Sequence, residues 1–403
     1  MKEISVQRIP AAKNRLIALV VHYLFKACHS VYRCFSPREA PPAREIHAHF
    51  PPHPSILLVR IDGLGDLIMS SPIIGELKKR FPDSKITLLT ANWSKGVLPF
   101  LPGIDETLFF DAPWIVPGIE NGWKNFVRTI KDLRRRKFDI AIDLRGDFRN
   151  NILLSLTGSP LRIGFDITGC EFFLNGIVSC GQNHHYLHLA KRIIHFLDPK
   201  SEGTFESSFF PRLNLPSDTV QKARTFLSSL GIPIKNQEKP LIIIHPGARW
   251  KGRQWETEKY AKLADRIVRQ LGGNILLTGT ADELEICTEV QKRMAESSIF
   301  LAGKTPFDLF LGILHVADLF VGVDSGPMHL ANALGTPLVA LFGPALVETV
   351  GPTRQPYEVV TWQKDFSCSP CPQITCPKTG ISCMNAISIK DVWQAILKLR
   401  HQL

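Results

Sequence analysis

Two short stretches of this chain carry side chains whose types and spacing suit reaction chemistry. The first is Asp324-Ser325-Gly326-Pro327, which follows the apolar, partly β-branched run Leu319 to Val323 and precedes Met328 to Leu334. A strand entering a turn with helix-cap chemistry, followed by a helix, aims backbone N–H groups and a partial positive charge beyond the strand end. Ser325 and His329 add side-chain donors there, so the unit suits a diphosphate, although the same turn is also ordinary capping that needs no ligand. The second stretch is Asp62-Gly63-Leu64-Gly65-Asp66, after the apolar run Ile56 to Ile61. Its glycines permit a sharp turn and close approach of a ligand. Asp66 falls at a helix start, where the dipole favours negative charge, and is a candidate general base or simply a charge that steadies the helix. A dinucleotide fingerprint needs a third glycine where Ile68 stands, which argues against a nicotinamide cofactor.

Both stretches require strands and helices in alternation to hold them, and the sequence supplies these. In the first half, strands are expected at Ile56 to Ile61, Lys85 to Thr90, Thr107 to Asp111 and Phe138 to Leu144. Helices are expected from the glycine turn to about Arg80, from Trp123 to Arg136 and from Phe148 to Leu156. The second half repeats the pattern. Strand Leu241 to Ile244 leads into His245-Pro246-Gly247 and the basic-aromatic loop Arg249 to Trp255, then helix Glu256 to Leu271 and strand Asn274 to Leu277. The turn Thr278-Gly279-Thr280, a helix Ala281 to Ala295, a helix Pro306 to Val316 and the Asp324 unit complete it, with strand Leu338 to Phe342 beyond. The expected fold is α/β with two doubly wound, Rossmann-like sheets, divided as a leader and linker at 1–54, a first domain at 55–235 and a second at 236–403. Ligands of such sheets bind beyond the carboxyl ends of strands, which groups Thr278, Gly279, Asp324, Ser325 and Gly326. Lys251 and Arg253 are placed to neutralise phosphate charge, and Glu283 to accept hydrogen bonds from a ribose or to serve as a first-turn acid.

The formal net charge is +11, and residues 1–44 hold eight Lys or Arg against two Glu, so more than half of the excess lies in the leader. Within it, residues 11–35 form a basic amphipathic pattern, with Ile17, Val20, Leu24, Cys28, Val31 and Phe35 on one side. Its apolar core is far short of the roughly 20 residues that span a bilayer. We read it as an in-plane helix on a membrane surface, the alternative being a helix docked on the protein's own body or on a partner. No nucleic-acid module accompanies the basic charge. The nine cysteines, an odd number without a secretory leader, fit a reducing cytoplasm rather than a disulfide framework.

Five motifs, G-L-G-D-L-I-M-S-S-P (Gly63 to Pro72), H-P-G-A (His245 to Ala248), K-G-R-Q-W (Lys251 to Trp255), L-T-G-T (Leu277 to Thr280) and V-D-S-G-P-M-H-L-A (Val323 to Ala331), in this order, resemble the ADP-heptose:lipopolysaccharide heptosyltransferases of glycosyltransferase family 9. The resemblance implies a GT-B fold, with an acceptor domain first and a nucleotide-sugar domain second. It implies inversion at the anomeric carbon without a metal, so that no cofactor is required for catalysis. By motif, Asp66 would be the general base, Arg253, where members commonly have lysine, would contact the diphosphate, and Glu283 would hold the ribose. Asp324, Ser325, Gly326 and His329 would line the donor site. The implied partners are a nucleotide sugar and a glycolipid acceptor, with the protein peripheral at the inner face of the cytoplasmic membrane. Arg145, Arg149 and Arg162 are candidates for a phosphorylated glycolipid core, or simply scattered surface charge. Other readings are a GT-B enzyme acting on another nucleotide sugar, such as an epimerase, or a non-catalytic nucleotide-sugar binding protein. Cys368, Cys371, Cys376 and Cys383 form C-x2-C-x4-C-x6-C, a spacing open to structural zinc or an iron–sulfur centre, or to buried or redox-labile thiols.

Overall fold

The computed structural model describes residues 51, 53–181, 185–199, 209–232, 239–362, 366, 368, 371, 375, 376 and 382–400. The leader with its amphipathic segment at 11–35, and residues 233–238 of the polar linker, lie outside these. Two compact units divide the chain between Phe209 and Phe210.

The first unit is a six-stranded parallel sheet. Its strands are β1 (Ser55–Arg60), β2 (Lys85–Thr90), β3 (Glu106–Phe109), β4 (Ile140–Asp143), β5 (Leu161–Phe165) and β6 (Gly176–Val178), in the order β3-β2-β1-β4-β5-β6. Between them run α1 (Leu64–Ser70), α2 (Pro72–Arg80), α3 (Gly122–Arg136) and α4 (Phe148–Thr157), with α5 (Tyr186–Leu197) after β6. β1 and β4 are buried almost throughout because helices cover both faces of a parallel sheet, so their sequences read as unbroken apolar runs rather than alternating ones. The single helix expected between the glycine turn and Arg80 is in fact two. Pro72 has no N–H to give the Ile68 carbonyl, and the backbone N–H and hydroxyl of Ser71 take that acceptor instead, the hydroxyl at 2.8 Å.

The second unit repeats the topology. Its strands are β7 (Leu241–His245), β8 (Asn274–Leu277), β9 (Ile299–Phe300), β10 (Leu319–Val323), β11 (Leu338–Phe342) and β12 (Tyr357–Thr361), again all parallel, in the order β12-β11-β10-β7-β8-β9. The helices are α6 (Ser217–Ser229), α7 (Thr257–Leu271), α8 (Leu284–Arg293), α9 (Phe307–Val316), α10 (Gly326–Leu334), α11 (Val347–Val350), α12 (Cys383–Ala386) and α13 (Ile389–Leu399). α6 packs on α9 and so belongs to the second unit, although its sequence position precedes residue 235. The helix expected from Ala281 opens instead as a 3-10 turn, Ala281–Glu283, before α8.

In each sheet the strand order reverses once, between β1 and β4 and between β7 and β10. Loops leaving neighbouring strands at such a point run to opposite faces and open a crevice at the carboxyl ends. Asp62 and Asp66 follow β1 and Asp143 ends β4, while His245 ends β7 and Asp324 follows β10. Asp66 and Asp324, both picked out for chemistry, thus lie at the two points where this fold makes room for a ligand.

Candidate functional site

In the first unit the site is built around a buried cation. Arg60, the last residue of β1, is fully buried, and its Nε lies 2.8 Å from Asp62 Oδ1 and its Nη2 3.4 Å from Asp66 Oδ1. Nη1 donates to the Leu144 carbonyl, and the guanidinium carbon sits 4.3 Å from the centre of the Tyr186 ring. Burial works against the charge of Arg60, yet Asp62 and Asp66 outweigh it and hold the guanidinium above its ordinary value. Asp66 stands in the first turn of α1 and its side chain is 30% exposed, the most accessible carboxylate around Arg60. Gly63 matters here through space rather than backbone angle, since a Cβ on it would lie 2.5 Å from Asp66 Oδ2. Asp62 is more enclosed, and burial, helped by Asp66 against the pull of Arg60, pushes its carboxyl up to about 6. Burial and Asp66 likewise push the Tyr186 hydroxyl up to about 12.

Two arginines extend this network. Arg145 Nε is 3.7 Å from Asp62 Oδ2 and its Nη2 3.6 Å from Asp147 Oδ2, and its Nη1 is buried without a partner. Arg149 grips Asp147 through Nε and Nη2 at 2.7 and 2.6 Å and lies over the rings of Phe148 and Trp114. The loop that carries them is pinned by Asp143, whose carboxylate accepts from the N–H groups of Arg145, Gly146 and Asp147 and from Asn150. Arg162 is placed differently. It lies near the amino end of β5, and its guanidinium donates to the Phe173 and Ser159 carbonyls, tying loops together at the sheet end away from Asp66.

In the second unit the decisive element is the start of α10. Ser325 is extended, Pro327 occupies the first turn and Gly335 closes the helix in a left-handed conformation at φ 79°, as the sequence pattern requires. The Ser325 hydroxyl makes no capping bond and is buried without a partner. Arg253 Nη1 reaches Asp324 Oδ2 at 2.7 Å as an ion pair without hydrogen-bond alignment, its guanidinium is 4.6 Å from the Trp250 ring centre, and its Nε is buried and unused. His329 Nε2 faces Asp324 Oδ1 at 3.7 Å. Unused donors therefore gather at a helix N-terminus beside a cation, an arrangement that binds anions. Lys251 is exposed on the turn leading to Arg253.

The neighbouring turns are more self-contained. His245 shares a 3.0 Å hydrogen bond between Nδ1 and Thr278 Oγ1, and its Nε2 lies 3.4 Å from Glu283 Oε2. Glu283 also accepts from the Thr280 N–H and hydroxyl in a capping box. Burial raises its carboxyl, but His245 and Thr280 together overcome this and draw it down to about 2. A Cβ at Gly247 would fall 2.3 Å from the Glu283 side chain, and one at Gly279 would fall 2.7 Å from Cys287 Sγ, so these turns take nothing larger than glycine without rearrangement.

The family model for glycosyltransferase family 9 (heptosyltransferase) matches residues 126–382, well over half of the sequence. The chain belongs to glycosyltransferase family 9. Among curated relatives of this glycosyltransferase, the lipopolysaccharide heptosyltransferase 3 of Escherichia coli K12 is 28% identical over 69% of this chain and 79% of its own. Among solved structures, a family 9 glycosyl transferase from Veillonella parvula superposes with a TM-score of 0.71 at 22% identity, covering 87% of this chain and 98% of its own. The ADP-heptose lps heptosyltransferase II of E. coli superposes with a TM-score of 0.67 at 21% identity, over 86% and 99%. These likenesses place the enzyme's two Rossmann-like units in the GT-B class.

Sequence reasoning did not single out Arg60, Asp62, Asp143, Asp147 or Tyr186. An arginine ending an otherwise apolar strand, two residues before an aspartate, was the available signal for the first two. For the cysteines, no group of three or more His, Cys, Asp or Glu side chains among the described residues is disposed to hold a metal. Cys368, Cys371, Cys376 and Cys383 are all unpaired thiols, and burial and the neighbouring cysteines raise Cys383.

Proposed function

We propose that this glycosyltransferase moves a heptose from ADP-heptose to a sugar hydroxyl of a lipopolysaccharide core, with inversion and without a metal. The names of its relatives support the sugar and the acceptor class. The observation that carries the chemistry is the unsatisfied start of α10, where Ser325 Oγ, Arg253 Nε and backbone N–H groups are available to an anion. The donor's diphosphate takes these donors. Its leaving oxygen gains charge as the anomeric C–O bond breaks, so fixed donors act more strongly on the transition state than on the ground state. Asp324 holds Arg253 in place, and Glu283, with its second oxygen, accepts from the ribose.

The acceptor hydroxyl attacks the anomeric carbon from the face opposite the diphosphate. Asp66 takes its proton as the new C–O bond forms, and Arg60 stays behind the carboxylate as a fixed countercharge. Arg145 and Arg149 meet acidic groups of the acceptor, the first through its unused Nη1. Arg162, committed to backbone carbonyls, is left out of this role. The reading requires the two units to bring Asp66 within reach of the anomeric carbon. Its test is Asp66→Ala: sugar transfer should fall about 10²- to 10⁴-fold while ADP binding measured by calorimetry is retained. Turnover at the wild-type rate removes Asp66 as the base.

A further inference from the structure

The first unit carries a surface that the transfer reaction does not use. α3 packs Phe126, Ile130 and Leu133 onto the core of its sheet and turns a different face to solvent. Along that face Trp123, Val127, Lys131 and Arg134 follow one another at helical steps, flanked by Lys124, Arg128 and Arg135, and all seven are exposed. Trp123 is 67% exposed and Val127 52%, unusual for apolar side chains on a basic helix. None of the five cations on this face makes an ion pair among the described residues, and Asp132, the only acid of the helix, is taken by Arg136. The Trp123 indole packs edge-on against Phe126, with ring centres 6.0 Å apart.

We infer that this face of α3 docks on an anionic lipid bilayer. Unpaired cations attract a negative headgroup layer, and an exposed tryptophan beside a valine is suited to the headgroup–acyl boundary. A purely electrostatic partner such as nucleic acid gives no role to Val127. The surface is also joined to the proposed acceptor site, because Arg149 lies over Trp114 and Trp114 contacts Trp123 with ring centres 6.1 Å apart. Docking through α3 would therefore place the Arg145 and Arg149 loop beside the layer that holds a lipid-linked acceptor. The docking itself rests on α3 alone and does not depend on the sugar or acceptor proposed above.

The test uses the full chain and acceptor-free vesicles of phosphatidylcholine with or without phosphatidylglycerol, so that its outcome is separate from that of the transfer reaction. Each charge removed should weaken partitioning to anionic vesicles on the order of fivefold, and the triple variant Lys131→Ala, Arg134→Ala, Arg135→Ala roughly 100-fold. A charge-matched control, Lys262→Ala, Arg269→Ala, Lys292→Ala on the second unit, should leave partitioning near wild type. Tryptophan emission should be quenched by bromine-labelled acyl chains in the wild type and markedly less in Trp123→Phe. Partitioning of the triple variant equal to that of the control, quenching undiminished in Trp123→Phe, or weakened binding to an oligonucleotide with vesicle binding intact would each overturn the inference.

Discussion

At the carboxyl end of β1 the first unit answers a fully buried cation with two carboxylates, whereas beyond β10 the second unit gives its arginine one and leaves a helix-start hydroxyl unpaired. Arg60 is met by Asp62, Asp66 and the Leu144 carbonyl, so its charge is balanced from within, with Nε and Nη2 facing the carboxylates as ion pairs without hydrogen-bond alignment. Around α10, Arg253 meets one carboxylate while its Nε and the Ser325 hydroxyl stay unpaired. The difference follows from what each site would handle. A base must be an anion held steady before substrate arrives, which calls for an internal countercharge. A diphosphate brings its own charge and needs donors that nothing else has claimed.

The contrast breaks most readily at the two arginines. Arg60→Met strands Asp62 and Asp66 near a buried apolar side chain, and loss of one partner from a buried ion network costs about 3–5 kcal/mol. Urea unfolding should show that loss. Arg253 is itself 28% exposed but its partner Asp324 is buried at 5%, so its removal strands one carboxylate rather than two and should cost less, about 1–3 kcal/mol. Equal stability losses in the two variants would erase the distinction between them.

Acid and base should also act on the two sites with opposite sign. Glu283 has its carboxyl drawn below the usual range to about 2, so its contribution is present above an unfolded value of 4.5 and is lost as pH falls toward 2, on the order of 2–3 kcal/mol. Asp62, pushed up to about 6 from 3.8, binds its proton more tightly folded than unfolded, so stability declines as pH rises through that window. Unfolding midpoints across pH 2 to 7 should flatten at the acid end in Glu283→Gln and between about 4 and 6 in Asp62→Asn. A slope unchanged in either variant means that the group is not perturbed as described.

On the binding side, Arg253→Met should weaken ADP roughly 10- to 100-fold, the range for hydrogen bonds to a charged group, with a smaller loss of stability than Arg60→Met. Arg253→Lys keeps the charge but loses the planar fork and the stacking on Trp250, and should recover only part of the affinity. Full recovery would mean that charge alone is used.

Much of this was legible in residue order because both key turns follow strands that read as unbroken apolar runs. β2, β8, β10 and β11 fall where the sequence pattern puts them. The Asp324 turn, the helix after it and its Gly335 cap are local features, encoded within a dozen neighbouring residues. β6 and β9 were not legible, being three and two residues long, too short for any periodic signal. The Arg60 network was hidden for another reason. It joins residues on β1, on the loop after β4 and on α5, and Tyr186 meets Arg60 only because the sheet order brings α5 against α1. For Arg162 the sequence left an acceptor contact or surface charge open, and neither reading foresaw that its guanidinium would donate to loop carbonyls. The capping role of Glu283 was visible as Thr280-x-x-Glu283, a pattern that exists with or without a ribose.

Ser325 gives the smallest effect and the finest distinction. In most helices a serine at this position accepts a backbone hydrogen bond, and its removal costs about 1 kcal/mol of stability. Here the hydroxyl makes no such bond and is buried without a partner, so deleting it removes no contact from the ligand-free fold. Ser325→Ala should therefore leave the unfolding midpoint unchanged or slightly raised. The hydroxyl would instead be used when a phosphate oxygen arrives, and its loss should weaken ADP about 5- to 10-fold in calorimetry, the range of one hydrogen bond. A variant that loses stability but keeps its affinity would make Ser325 an ordinary cap and take the diphosphate away from α10. The reverse pattern, affinity lost with stability kept, follows only if the donor was held in reserve for a ligand.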